Sequence, residues 1–104
     1  MDFSYRYLYP PTINDISVNR VIENAAEMCF GTGNVFYATE PSMGGEDFAY
    51  FAQLAPSSFF KVGIANKENG ITHPIHSPYF DIDEAALKSA MLLMSQTATD
   101  LLNR

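Results

Sequence analysis

Ser58-Phe59-Phe60-Lys61-Val62-Gly63-Ile64-Ala65 places Phe59, Phe60, Val62 and Ile64 in a run too continuously apolar for a strand with one face in water. The run predicts a core strand buried under helices, and helices are predicted on both sides of it. Downstream, Asp83 is a plausible N-cap for a long helix with the stripe Ala86, Leu87, Ala90, Met91, Met94, Ala98, Leu101 and Leu102, which would pack on a sheet. Upstream, Glu46 and Asp47 favour a helix N-terminus through the macrodipole. That helix should stop before Pro56 and bury Phe48, Phe51, Ala52 and Ala55.

Further towards the N-terminus, Asn14, Asp15 and Ser17 offer capping side chains. Val18, Val21, Ile22, Ala25, Ala26 and Cys29 then follow the spacing of an amphipathic helix, and Gly31 is a natural stop. Residues 34–39 (NVFYAT) are a short β-prone run leading into a Pro- and Gly-rich loop, residues 40–45. Helices and strands therefore alternate after Pro11, which predicts an α/β layer with helices on a small sheet. Residues 2–9 (DFSYRYLY) set Phe3, Tyr5, Tyr7 and Tyr9 on one side of a period-2 pattern and predict a separate strand, ended by Pro10-Pro11.

A chain of 104 residues suits one small core. The hydrophobic fraction of 47% is ordinary for a globular protein, and no apolar run approaches the roughly 20 residues needed to span a bilayer. Twelve acidic against six basic residues give a formal charge of -6, which disfavours nucleic acid and anionic membranes as partners. Cys29 is the single cysteine, so no intrachain disulfide is expected. The first residues lack the basic region and long apolar stretch of a signal peptide, and the cytoplasm is the expected location.

The strongest local chemical signal is His73-Pro74-Ile75-His76-Ser77-Pro78. Two prolines stiffen this loop, so an imidazole can be held in a fixed direction with little further entropy loss. Histidines three apart on extended backbone point in different directions, so at most one is expected to bind a given ion. Spacing alone leaves either histidine readable as a surface residue. The second signal is Pro41-Ser42-Met43-Gly44-Gly45-Glu46-Asp47-Phe48, a glycine turn entering a helix whose free N–H groups could face an anion. The plainer reading is a strand-to-helix turn with Glu46 and Asp47 as capping charges, and those carboxylates would repel an anion. Cys29 lies on the apolar stripe and reads as a small buried hydrophobe, and Tyr5, Tyr7 and Tyr9 read as core or interface aromatics.

Residues 9–15 (YPPTIND), 41–48 (PSMGGEDF) and 76–80 (HSPYF) with 83–87 (DEAAL) together resemble the metal-dependent N-acyl-amino-acid amidohydrolases that include hippurate hydrolase and the indole-acetyl-amino-acid hydrolases. The three motifs occur in the family's order, and the resemblance runs nearly end to end. It implies a catalytic α/β domain of the di-metal aminopeptidase type, with a smaller lid and dimerisation domain inserted into it. Residues 1–10 would be the last lid strand and residues 11–104 the C-terminal part of the catalytic domain. His76, directly before Ser77-Pro78, corresponds to a metal ligand of the family. Gly44, Gly45 and Glu46 correspond to the segment lining the substrate pocket.

The resemblance further implies hydrolysis of the amide bond of N-acyl amino acids by water activated by two divalent ions (Zn, Mn, Co or Ni). The family's Cys-Gly-His-Asp metal motif, Glu-Glu pair and further histidine ligand are absent from these residues. The chain is thus expected to be a C-terminal fragment, inactive alone, whose partners are the missing N-terminal part, an N-acyl amino acid and, through the lid, a second copy in a homodimer. The alternative expectation is a non-catalytic α/β interaction module derived from that fold.

Overall fold

The computed structural model describes residues 1–6 and 8–103. The chain divides into two compact units, Met1–Phe59 and Phe60–Arg104.

In the first unit, helix α1 (Ile16–Phe30) begins after Asp15, which is the one of the three candidate caps that takes the N-cap position. The Asp15 carboxylate accepts hydrogen bonds from the Ser17 and Val18 backbone N–H groups at 2.9 and 3.0 Å, satisfying donors that the helix itself leaves open. Val21, Ile22 and Ala25 are buried, three members of the predicted stripe, and Cys29 is half-buried among the others. Gly31 ends the helix at φ 81, a backbone region costly for any residue with a Cβ, and its N–H returns to the Glu27 carbonyl at 2.8 Å. A short 3₁₀ turn, Thr32–Asn34, follows. There the Asn34 amide donates to the Phe30 carbonyl at 2.7 Å, so a helix-end acceptor finds a partner.

The start of α1 is fastened to the end of this unit. Asn14 donates through its amide nitrogen to the Phe59 carbonyl at 3.0 Å and accepts from the Phe59 N–H at 2.8 Å. The Asp15 N–H donates to the Ser57 carbonyl and the Ser58 hydroxyl to Asn19, both at 2.8 Å. Helix α2 (Phe48–Ala52) lies between these segments. Its buried residue is Ala49; of the expected inward set, Phe48 and Ala52 are half-buried, while Phe51 and Ala55 are exposed. With only five residues, α2 turns its inner face by the contacts of Phe48, whose ring lies 5.4 Å from that of Phe59.

In the second unit, helix α3 (Ala85–Leu102) starts two residues after Asp83, the expected cap. Asp83 still supplies the capping oxygen, accepting from the Ala85 N–H at 3.0 Å. The helix turns only Ala86 and Ala90 of the predicted stripe inward. Leu93 and Thr97 are buried, while Leu87, Met91 and Met94 are 51%, 70% and 58% exposed. Among the described residues no sheet is present to receive that stripe, so the inner face instead runs through Ala86, Ser89, Ala90, Leu93 and Thr97. The buried Thr97 hydroxyl finds no hydrogen-bond partner among the described residues.

Among the described residues the helices of the α/β expectation are therefore present and its sheet is not. Among the described residues the sole β pairing is the isolated antiparallel bridge between Asn66 and Ile71. A strand's N–H and C=O groups are satisfied by a neighbouring strand. Residues 2–6, 8 and 9, residues 35–39 and residues 58–65 have no such neighbour here and carry no regular structure. Tyr7, part of the expected aromatic strand, lies outside the described residues. Residues 60–65 alternate between half-buried and exposed, so Phe60, Val62 and Ile64 share one side instead of the run being covered on both.

Candidate functional site

Residues 67–82 carry both histidines and are tied at their two ends. Asn66 pairs through its backbone with Ile71, with N–H to carbonyl distances of 2.8 and 2.9 Å, and the Gly70 N–H donates to the Lys67 carbonyl to close the turn. Gly70 takes φ 73 there, which explains a glycine at this turn. At the far end the Asp83 N–H donates to the Ile64 carbonyl at 3.0 Å. The Asn66 amide nitrogen also donates to the Asp83 carboxylate at 2.7 Å, across 17 positions of sequence. The hydrogen bonds from Asn66 and from the Ala85 N–H stabilise the Asp83 carboxylate and hold its pKa below the ordinary value of 3.8.

Within this loop the Ser77 N–H donates to the Pro74 carbonyl at 3.1 Å and the Phe80 N–H to the Ser77 carbonyl at 3.1 Å, giving two successive turns. His76 is the third residue of the first turn and has φ 71, the single positive φ of a non-glycine among the described residues. Glycine or asparagine usually occupies that place, because a Cβ there crowds the backbone. His76 is exposed, as is His73, whose ring lies 5.4 Å from that of Tyr79. The two histidines thus have different settings, His73 against an aromatic ring and His76 at the head of a tight turn. Among the described residues no three His, Cys, Asp or Glu side chains gather into a group that could hold a metal ion.

Gly44, Gly45 and Glu46 belong to the first unit. A Cβ at Gly45 would lie 2.7 Å from the Tyr9 ring, so the absence of a side chain lets the loop approach that ring, whereas Gly44 has only the Ser42 hydroxyl at 4.0 Å. Tyr9 in turn lies 6.2 Å from the Tyr50 ring, and the Tyr50 hydroxyl donates to the Leu8 carbonyl. The Glu46 carboxylate accepts from the Phe48 N–H at 3.3 Å at the start of α2, while Asp47, the other expected capping charge, makes no side-chain capping hydrogen bond. Elsewhere in this unit, Glu23, burial and Glu27, in that order, raise the Tyr37 phenol above its ordinary 10.0.

The tie made by Asn66 and Asp83 was not apparent from sequence. Asp83 reads in the sequence as a helix cap, and Asn66 carries no signal of a remote partner. Asn66 does stand four residues before Gly70, a spacing suited to a turn closed by an asparagine side chain, and the Asn69 N–H donates to its carbonyl oxygen at 3.2 Å.

No helix among the described residues is long and apolar enough to cross a membrane. Residues 1–100 match the model of Peptidase family M20/M25/M40. The chain is 34% identical over 97 residues to a probable hydrolase of Synechocystis sp., covering 93% of this chain and 25% of that protein. It is 33% identical over 96 residues to IAA-amino acid hydrolase ILR1-like 6 of Arabidopsis thaliana, covering 92% of this chain and 20% of that protein. It is 32% identical over 97 residues to the putative amidohydrolase YhaA of Bacillus subtilis, covering 93% of this chain and 24% of that protein. No solved structure matches the chain. The chain spans a fifth to a quarter of the length of these relatives, and the family match covers nearly all of it. The chain belongs to Peptidase family M20/M25/M40.

Proposed function

We propose that these residues contribute to a metal-dependent amidohydrolase that cleaves the amide bond of N-acyl amino acids. The observation that carries this reading is the similarity, over nine-tenths of the chain, to relatives named as an IAA-amino acid hydrolase and an amidohydrolase. Residues 1–10 act as the last strand of a lid and dimerisation domain and residues 11–104 as part of the catalytic domain. His76 is the metal ligand of this segment. Its exposed imidazole is a suitable donor, and a histidine kept where glycine would be less strained is one whose side chain is needed. One imidazole is less than a complete coordination set, so the other ligands and the proton-shuttling carboxylate come from outside these 104 residues, and the chain alone is inactive.

Two divalent ions, Zn, Mn, Co or Ni, would polarise the amide carbonyl and lower the pKa of a water molecule when bound. His76 holds its side of such a site from a turn between two prolines. Gly44, Gly45 and Glu46 line the approach of the substrate, with Gly45 setting how near the loop comes to Tyr9. The exposed Leu87, Met91 and Met94 favour association with further protein. We assign that partner to the remainder of the enzyme, with a homodimer formed through the lid. The same surface is what a non-catalytic interaction module would use, and activity separates the two readings.

The test is metal content together with hydrolysis of N-acyl amino acids, on the 104 residues and on the complete reading frame, each with His76→Ala alongside. The proposal expects metal and activity in the complete protein, loss of both with His76→Ala, and neither in the 104 residues alone. A complete protein that is metal-free and inactive with His76 intact would favour the binding module.

A further inference from the structure

We infer that Asn66 and Asp83 are positioning residues for the His76 imidazole, a reading that rests on His76 being a metal ligand. The two side chains join both ends of the segment that carries it. Asn66 Nδ2 donates to Asp83 Oδ2 at 2.7 Å, beside the backbone bond from Asp83 N–H to the Ile64 carbonyl at 3.0 Å. Each partner is itself held. Asp83 Oδ1 accepts from the Ala85 N–H at the start of α3 at 3.0 Å, and Asn66 Oδ1 accepts from the Asn69 N–H at 3.2 Å. A carboxylate only accepts and a backbone N–H only donates, so the Asn66 amide has one orientation that satisfies both neighbours.

The segment between these anchors is stabilised internally by turns, not by a ladder. After the Asn66–Ile71 bridge the backbone hydrogen bonds are Ser77 to Pro74 and Phe80 to Ser77, both 3.1 Å. Pro74 and Pro78 restrict the chain on either side of His76. A stiff segment transmits the placement of its ends to its middle, so releasing one end re-aims the histidine at the head of the turn. Groups hydrogen-bonded directly to a metal ligand typically change metal affinity about 10–100-fold when removed, and a pair acting through the backbone should fall at the lower end of that range.

The test measures Zn2+ affinity of the complete protein by competition with a chromophoric chelator. Asp83→Asn sets two amides against each other, and Asn66→Asp sets two carboxylates against each other. The double exchange, Asn66→Asp with Asp83→Asn, restores one donor facing one acceptor. It also keeps an oxygen for the Ala85 N–H, an oxygen for the Asn69 N–H and the same formal charge.

Both single variants are expected to weaken Zn2+ binding at least about tenfold, and the exchange to return it to within about threefold of the parent. The singles change local charge in opposite directions, so an effect of charge alone would move their affinities apart and overturn the inference. Unchanged affinity in the singles, or an exchange no better than either, would overturn it as well. Leu93→Ala, in the buried face of α3, lowers the unfolding midpoint without touching the pair and should leave Zn2+ affinity unchanged; equal weakening there would reduce the effect to general loosening. His76→Ala separates the two levels. If it weakens Zn2+ binding while the pair variants do not, only the positioning role fails; if it has no effect, the ligand assignment fails and the positioning role with it.

Discussion

Replacing His76 by glycine should leave the protein as stable as before or more so, while removing the metal binding proposed for it. The left-handed region costs an L-residue roughly 1–2 kcal/mol, and His76 sits in it at φ 71. Glycine removes that cost but loses about 0.5–1 kcal/mol more backbone entropy on folding. The difference is a net change between about zero and 1.5 kcal/mol in favour of glycine, because His76 is exposed and gives up little packing. In the larger cooperative unit of the complete protein 1 kcal/mol corresponds to roughly 2–4 °C in Tm or less. Thermal unfolding of the complete protein in chelator, followed by circular dichroism, should give His76→Gly at or above the parent and His76→Ala close to it. His76→Val should lie clearly below, since a β-branched residue is least tolerant of positive φ. A glycine variant destabilised by more than about 1 kcal/mol, or a valine variant as stable as glycine, would refute the account of this turn.

Four further outcomes are expected. Asp15→Ala removes the acceptor for the Ser17 and Val18 N–H groups and should cost about 0.5–2 kcal/mol in denaturant unfolding. Gly45→Ala brings a Cβ to 2.7 Å from the Tyr9 ring and should lower the unfolding midpoint, whereas Gly44→Ala, with its nearest neighbour at 4.0 Å, should not. The depressed pKa of Asp83 means that its contribution to stability is present above the unfolded value of 3.8 and lost as pH falls through the lower folded value. Acid unfolding of Asp83→Asn should therefore lack that portion of the pH dependence below 3.8. Glu23→Gln removes the largest cause of the raised Tyr37 pKa, so the ultraviolet phenolate titration of Tyr37 should move down towards 10.0, as shown by difference against the same variant carrying Tyr37→Phe.

The helices were legible in the sequence because their signals are local. Asp15 and Gly31 bracket α1 through bonds to residues two to four positions away, and Asp83 lies beside the N–H it receives at α3. The strands expected from the sequence do not form among the described residues, because a strand depends on a neighbour and residues 58–65 signal burial without saying what would cover them. The same gap misdirected α3: Leu87, Met91 and Met94 mark an apolar stripe, but a stripe faces inward only where a surface exists to meet it. At the candidate site, the prolines around His76 announced a stiff loop, while its positive φ had no signal of its own. The partnership of Asn66 with Asp83 was hidden by sequence distance, as was that of Asn14 with Phe59, since nothing in an asparagine says which remote backbone or carboxylate it will reach.

The outward-facing Met91 and Met94 make one side of α3 chemically editable. Peroxide converts a reachable thioether to a polar sulfoxide, and reachability sets the rate. In a protein that leaves this side open, the two methionines should be oxidised as readily as Met43, which is 99% exposed. In one that seats further chain against it they should be shielded while Met43 still reacts. A peptide mass map after brief peroxide treatment thus reports, residue by residue, whether this helix face meets solvent or protein.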